Sequence, residues 1–197
     1  MKTLKLFLPL ALGALLLTGC GIQSIPQAKN DVEAKTAAVT NEYKRRADLV
    51  PQLIGVVKGN SKHERDTLEA VVNARAKATS ITLDPSKATP QQLAAYQGAQ
   101  GSLSQALGKL MMITENYPQL QANAAFRDLQ AQLEGTENRI KVARNDLIES
   151  IQGFNNQVTV FPTSLTNSLF FHYPKMAQWD LGADEKAAAE KAPDVKF

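Results

Sequence analysis

The only cysteine is the residue with the most distinctive chemistry in this chain of 197 residues. Cys20 stands in the stretch "LLLTGCG", directly after a run of apolar side chains. Without a second cysteine it cannot form an internal disulfide bond. A thiol is, however, the side chain that is soft and nucleophilic enough to accept a lipid group. Its chemistry and position therefore indicate covalent modification of Cys20.

The segment before Cys20 has the profile of a secretory signal peptide. Lys2 and Lys5 precede the apolar run "LFLPLALGALLL" at residues 6–17. Twelve helical residues extend about 18 Å, whereas the hydrocarbon core of a bilayer is about 30 Å thick. The run closes on "LTGC", which resembles the bacterial lipobox. That resemblance implies cleavage before Cys20, a diacylglyceryl group on its sulfur and an acyl group on its new amino group.

Such a modification would make Cys20 a membrane anchor. Two or three acyl chains hold a protein stably in a bilayer, whereas one chain binds only marginally. Gly21 follows the cysteine, and in Gram-negative bacteria an Asp at that position favours the inner membrane. The absence of Asp favours the outer membrane, with the chain facing the periplasm. The alternative is an unmodified cysteine in an ordinary signal peptide or signal anchor.

The chain after Cys20 carries nearly balanced charge. The whole chain has 22 Lys and Arg and 19 Asp and Glu, with a net charge of +3. Two of the lysines lie in the leader, which leaves 20 basic and 19 acidic residues and a balance of +1. A nucleic-acid-binding protein needs a basic face. We therefore expect no nucleic-acid partner.

The sequence lacks the residue patterns of the common catalytic sites. Neither His63 nor His172 has a carboxylate three residues before it, and His63-Glu64 lacks a second histidine four residues further on. These spacings argue against di-iron bundles and zinc peptidases. A serine nucleophile would have only these two histidines as its base. We expect no enzyme activity, no metal and no cofactor beyond the lipid on Cys20.

A first basic segment, "EYKRRADL" at residues 42–49, contains candidate interaction residues. Successive residues of a helix point 100° apart, so Lys44, Arg45 and Arg46 cannot all face solvent equally. We expect one arginine to pair with an acidic residue of a neighbouring helix. The alternative is that Arg45 or Arg46 binds an anionic lipid or a partner protein.

A second segment, "LEGTENRIKVAR" at residues 133–144, adds two more candidate interaction residues. Arg139 and Arg144 are expected to find partners elsewhere, while Glu137 pairs with Lys141 one turn away. Gly135 costs up to about 1 kcal/mol in a helix interior compared with alanine. Its presence predicts the close approach of another backbone.

Aromatic residues cluster near the C-terminus, at Phe170, Phe171, Tyr173 and Trp179. We expect them to cover the end of an apolar core. The alternative is an exposed aromatic patch that contacts a membrane or a partner. Trp179 is for this reason a candidate interaction residue.

The elements that position these residues are predicted to be helices. Six apolar residues recur every seven positions: Phe126, Leu133, Ile140, Leu147, Phe154 and Phe161. This repeat predicts a helix of about 40 residues with a seam like that of a coiled coil. Pro162 ends it, and "SLTNSLFF" then fits a short helix.

Three further helices are predicted before this one. The first extends from about Ala28 to Lys58, with a kink near Ala47, or a break, because Pro51 lies inside it. The second starts at a capping box over residues 61–64 and ends near Ser80. The third starts at a Thr89 cap and ends before residue 117.

Together these elements predict an all-α protein with an elongated antiparallel bundle of about four long helices. Strand signals are nearly absent. The expected organisation is a signal peptide at 1–19, a lipidated tether at 20–27, the bundle at 28–165, an aromatic end segment at 166–181 and a disordered tail at 182–197.

Several segments resemble the LemA family, and they occur in the order found in that family: "EYKRRADLVPQLIGVVKG", "KHERDTLEAVVNARAKA", "LGKLMMITENYPQLQAN", "FRDLQAQLEGTENRIKVARNDL" and "FNNQVTVFPTSL". The resemblance covers about residues 31–165. It implies a bacterial envelope protein with an N-terminal membrane anchor and a long helical bundle, but no catalytic residues. Thr36 stands where the family usually has a tryptophan, and many members use a spanning helix where this chain has a lipobox.

The anchor and the bundle predict a lipid-anchored, non-enzymatic envelope protein. We expect it to act as a scaffold or adaptor for another envelope protein. The alternative is that the bundle, or its aromatic end, binds a lipid or a cell-wall fragment.

Overall fold

The computed structural model describes the backbone of residues 2–60, 65–84 and 88–179, and the side chains of residues 22–58, 65–84 and 88–179. Over these ranges the protein is helical and has no strand. The elements are α1 (Lys2–Asn60), α2 (Arg65–Ser80), α3 (Pro90–Thr114), α4 (Pro118–Gln121), α5 (Ala124–Thr159), α6 (Thr163–Thr166) and a π-helical turn (Asn167–Phe171). The prediction of an all-α helical bundle is confirmed. The side chain of Cys20, the capping box at 61–64 and the tail at 182–197 lie outside the described residues.

The two longest helices, α1 and α5, pack side by side in opposite directions. Three side-chain contacts mark their register: Ser24 with Gln157, Lys35 with Asp146, and Glu42 with Arg139. Eleven residues separate the first two positions on both helices, and seven separate the next two. In this register Thr159, the last residue of α5, falls opposite Ile22.

The apolar core consists of two clusters that follow one another along the bundle. The α2-side cluster joins α1 to α2, α3, α4 and the first part of α5, with Leu53, Leu110 and Phe126 among its members. The tail-side cluster joins the earlier part of α1 to the second half of α5 and to Trp179. Burial of this apolar stripe on each helix is the main force that holds the bundle together.

The predicted start of the first bundle helix, at about Ala28, is too late. Residues 22–27 were expected to form part of a tether, but they belong to α1. Ile25 is fully buried in the tail-side cluster, and Ser24 donates a hydrogen bond to Gln157. Residues 22–27 are therefore helical and part of the bundle, because packing against α5 outweighs the helix-opposing effect of Pro26.

Pro51 does not break α1, although its ring removes one backbone donor. The carbonyl that loses its partner belongs to Ala47, four residues earlier, and Ala47 is buried. Arg75 of α2 supplies a replacement, since its Nε donates to the Ala47 oxygen at 2.7 Å. A charged donor from a neighbouring helix thus satisfies a buried carbonyl that the proline leaves open.

Replacing Arg75 with alanine is expected to lower the free energy of unfolding by about 1–3 kcal/mol, because the buried Ala47 carbonyl loses its donor. In a Pro51→Ala background the residue-51 amide can bond to that carbonyl, so the same substitution should cost far less. Denaturant unfolding of the four proteins in this double-mutant cycle measures the difference. An equal cost in both backgrounds would contradict this role of Arg75.

The sevenfold repeat predicts the buried stripe of α5 correctly at five of its six positions. Phe126, Leu133, Ile140, Leu147 and Phe154 are all buried. Phe161 is exposed, because α5 ends at Thr159 and the chain turns away from the core before the sixth position. The Thr89 capping box is confirmed too: the Gln92 amide donates to Thr89 Oγ1, and the Thr89 amide donates to Gln92 Oε1.

No helix in the described part of the chain is both long and apolar enough to cross a bilayer.

Candidate functional site

A buried polar layer separates the two apolar clusters, and Arg46 is at its centre. The side chain of Arg46 is only 1% exposed. Its Nη1 donates to Ser104 Oγ at 2.6 Å and to Glu137 Oε1 at 2.8 Å. Its Nη2 donates to the side chain and to the backbone carbonyl of Gln100, at 2.8 and 3.1 Å. Arg46 of α1 is therefore bonded to both α3 and α5.

The layer is built from residues that take core positions in their own helices. Arg46 lies between the buried residues Tyr43 and Val50 on α1, and Gln100 lies between Tyr96 and Leu103 on α3. On α5, Thr136 lies between Leu133 and Ile140 and is fully buried. Each polar residue continues the three- and four-residue spacing of its apolar neighbours. The three helices thus meet at one level, where each of them contributes a polar side chain to the core.

Hydrogen bonds connect nearly every polar group of this layer. The Gln100 amide donates to the Ala78 carbonyl at the end of α2, at 3.0 Å. Thr136 donates to the Gln132 carbonyl and accepts from Arg139 Nη2. Because a buried polar group without a partner is costly, such a network favours one alignment of the helices over others. Arg46 Nε is buried with no hydrogen-bond partner among the described residues.

Two ion pairs connect α1 to α5 at this level. In the first the positive charge is on α1, and in the second it is on α5. Arg46 of α1 binds Glu137 of α5 at 2.8 Å, and Glu42 of α1 binds Arg139 of α5 at 3.0 Å. The Glu137 side chain is 44% exposed, so water screens part of the first pair. A shift of one helix along the other would separate the oppositely charged side chains of both pairs. The pairs therefore reinforce the register of α1 and α5.

Aromatic rings continue from the layer into the tail-side cluster. The guanidinium of Arg46 lies 5.1 Å from the centre of the Tyr43 ring, in cation–π contact. Tyr43 meets Tyr96 edge to face, and Tyr96 meets Trp179 in the same way. Burial raises the pKa of Tyr96 above its ordinary value of 10.0, although the Thr40 hydrogen bond and the Arg46 charge act in the opposite direction.

The structure assigns different surroundings to the two adjacent arginines that the sequence suggested. Arg46 is buried and pairs within the bundle, which agrees with the expected pairing to a neighbouring helix. Arg45 is exposed. Of the two basic side chains, only that of Arg45 is available to another molecule.

The other candidate residues also have defined places. Arg139 is exposed and pairs with Glu42, while Arg144 is half-buried. Trp179 is buried against Tyr96, so it belongs to the core of the bundle and not to its surface. Glu137 was expected to pair with Lys141, but it accepts from Arg46.

Gly135 does not mark a close backbone approach, and that prediction is wrong. A Cβ atom built on Gly135 would meet only the Nη1 of Arg139, at 3.5 Å, within the described residues. At 3.5 Å a Cβ would make an ordinary van der Waals contact with the guanidinium of Arg139, which bonds to Glu42 and Thr136. The packing around position 135 therefore does not require a glycine.

Gln100, Ser104 and Thr136 are layer residues that the sequence analysis did not single out. A signal for two of them is present in the sequence, because Gln100 and Thr136 fill gaps in the apolar spacing of their helices. A polar residue at such a gap is a candidate for a buried polar contact. Its partner cannot be read from the sequence, since it depends on which helices become neighbours.

No group of three His, Cys, Asp or Glu side chains that could hold a metal ion occurs in the described part of the chain.

A shallow, open groove runs between α1 and α5 near Asp31, Lys35 and Asp146. The Asp146 hydrogen bond raises the pKa of Lys35 above its ordinary 10.5.

Comparison with known proteins gives a family and a few relatives. The model of the LemA family matches residues 35–197. Magnetosome protein MamQ 2 of Paramagnetospirillum magneticum is 32% identical over 68 residues, which is 34% of this chain and 25% of that protein. Magnetosome protein MamQ of Magnetospirillum gryphiswaldense is 34% identical over 68 residues, with the same shares. The chain thus matches about a quarter of the length of these curated relatives. These similarities fit a membrane-associated bacterial protein.

Proposed function

This chain belongs to the LemA family, and on that basis we propose that it is a lipid-anchored, non-enzymatic envelope protein that acts as a scaffold or adaptor for other envelope proteins. Cys20 carries the lipid, and the bundle extends from the membrane on the periplasmic side. The residue after the cysteine is Gly21 and not Asp, which favours the outer membrane.

The observation that carries the proposal is the internal use of Arg46. The most deeply buried charge among the described side chains binds Gln100, Ser104 and Glu137 inside the bundle. Its bonds fix how α1, α3 and α5 are aligned. The chemistry of this layer thus serves the shape of the bundle, which is what a scaffold requires.

The dimensions of the bundle support the same role. α5 has 36 residues and is about 54 Å long at 1.5 Å per residue. A helical rod of that length, anchored at one end, can hold a second protein at a fixed distance from the membrane. Surface residues such as Arg45 and Val142 are the positions where such a protein could be contacted.

In-cell photo-crosslinking tests the adaptor role. A photoreactive amino acid is placed at Val142 on α5, which is 61% exposed, and in a second strain at Val72 on α2, which is 45% exposed. We expect one dominant envelope protein to be crosslinked from one of these faces. The same crosslink should be lost in a Cys20→Ser strain, because the bundle is then no longer held at the membrane.

One control variant and one contradicting outcome make the result interpretable. Arg45→Ala should lower the crosslink yield if this exposed side chain contacts the partner, while the melting temperature stays unchanged. Crosslinks that lead only to lipid or glycan would contradict the adaptor role. They would favour the alternative, in which the bundle binds a lipid or a cell-wall fragment.

A further inference from the structure

Five large apolar side chains lie exposed together where α5 ends and the chain continues into α6 and the π-helical turn. We name this set the apolar end; its exposed fractions are 55% for Val160, 76% for Phe161, 53% for Leu165, 62% for Leu169 and 63% for Phe170. Leu165 belongs to α6 and Leu169 to the π-helical turn that follows it, four positions further along the chain. Single exposed apolar residues are ordinary, but five large ones within the eleven positions 160–170 indicate a contact surface.

Two asparagine side chains tie together the backbone before and after the apolar end. Asn167 donates to the carbonyls of Val158 and Tyr173 and accepts from the Tyr173 amide. Asn155 donates to the Met176 carbonyl and accepts from the Met176 amide.

The same segment also directs some of its aromatic rings inward. Phe171 and Tyr173 stack with ring centres 5.5 Å apart, and both pack against the tail-side cluster. His172 between them adopts a left-handed conformation with φ 55°. The inward aromatic residues complete the core, so the exposed Leu169 and Phe170 are not needed there.

Charged residues are absent from the sequence around the apolar end. Residues 151–174 contain no Asp, Glu, Lys or Arg, and residues 6–28 contain none either. On the C-terminal side of these stretches the first charged residues are Lys175 and Lys29, of which Lys29 pairs with Glu33, and Glu149 precedes the first stretch. An uncharged apolar surface of this kind matches the interface of a bilayer, and Lys175 at its border is attracted to anionic headgroups.

The register of the bundle places the N-terminal chain at this same end. Thr159, the last residue of α5, falls opposite Ile22 of α1, which is itself 45% exposed. Only two positions before Ile22 stands Cys20. A lipid on Cys20 would therefore bring the apolar end to the bilayer surface.

We infer that the apolar end inserts into the membrane interface, with Phe161, Leu165, Leu169 and Phe170 among the lipid headgroups. The inference rests on the proposed anchoring through Cys20. It adds a second membrane contact, beside the lipid, that restrains how the bundle is oriented on the bilayer. An anchor with a flexible tether alone would leave that orientation free.

The test uses the full, lipidated chain in vesicles of phosphatidylethanolamine and phosphatidylglycerol. Phe170→Cys carries a small fluorophore, and Val142→Cys is the matched control, because the two native side chains are 63% and 61% exposed. We expect brominated acyl chains to quench the probe at position 170, because it should lie about 5–10 Å into the boundary between headgroups and acyl chains. Aqueous iodide should quench only the probe at position 142.

Two results would overturn the inference. Equal quenching by iodide at both positions would mean that the apolar end stays in water. Protection of position 170 from both quenchers, together with a dimer in mass photometry, would mean that a second copy covers it. The mass of the N-terminal peptide from the same sample reports separately whether Cys20 carries lipid, so a failure of the anchor and a failure of the docking surface are distinguished.

Discussion

Replacing Arg46 with alanine is expected to lower the free energy of unfolding by about 3–5 kcal/mol. The substitution removes every hydrogen bond that the guanidinium makes to α3 and α5. It leaves the Gln100 side chain buried without its donor and opens a cavity between the two apolar clusters. Urea unfolding followed by circular dichroism measures the loss.

Two variants separate the contribution of the layer from that of charge in general. Arg45→Ala removes the neighbouring, exposed arginine and should change the stability by less than about 0.5 kcal/mol. Arg46→Met combined with Gln100→Leu replaces the polar pair with apolar groups of similar size, and we expect a smaller loss than for Arg46→Ala, about 1–3 kcal/mol, which comes from the Ala78 carbonyl that Gln100 no longer satisfies. A small effect of Arg46→Ala, similar to that of Arg45→Ala, would show that the layer does not stabilise the bundle.

Replacing Phe154 with alanine is expected to cost about 3–5 kcal/mol, because the side chain is 1% exposed in the tail-side cluster. Phe161→Ala is the matched control, since both residues belong to the same sevenfold repeat. Phe161 is 76% exposed, so its removal should leave the free energy of unfolding nearly unchanged. Thermal and urea unfolding of both variants measure the two losses of unfolding free energy. Equal losses would contradict the described end of α5.

The apolar spacing is sufficient to predict most of the fold. The spacing of the apolar residues and the cap at Thr89 lead to α3 and α5, because these signals act within one helix. The end of α5 and the start of the bundle in α1 depend on contacts between helices. Ile25 is buried by α5, and Phe161 is left outside because the chain turns after Thr159. Such contacts have no local signature.

The polar layer, too, is predicted where the signal lies within one helix and missed where it depends on contacts between helices. The sequence predicts that one of the adjacent arginines pairs inside the bundle, since three consecutive cations cannot share one face of a helix. That the residue is Arg46 follows from its position between Tyr43 and Val50 in the apolar spacing of α1. Its bonds to Gln100 and Ser104 require knowing that α3 packs beside α1. Likewise, Arg75 could not be assigned to the Ala47 carbonyl without the packing of α2 on α1.

Anchoring through Cys20 is tested most directly by the mass of the N-terminal peptide of the protein extracted from membranes. We predict a peptide that begins at Cys20 and carries a diacylglyceryl group on the sulfur and an acyl group on the amino nitrogen. A Cys20→Ser chain should keep its leader and lack these groups. A wild-type peptide that begins at residue 1, or an unmodified Cys20, would contradict the proposed lipid anchor.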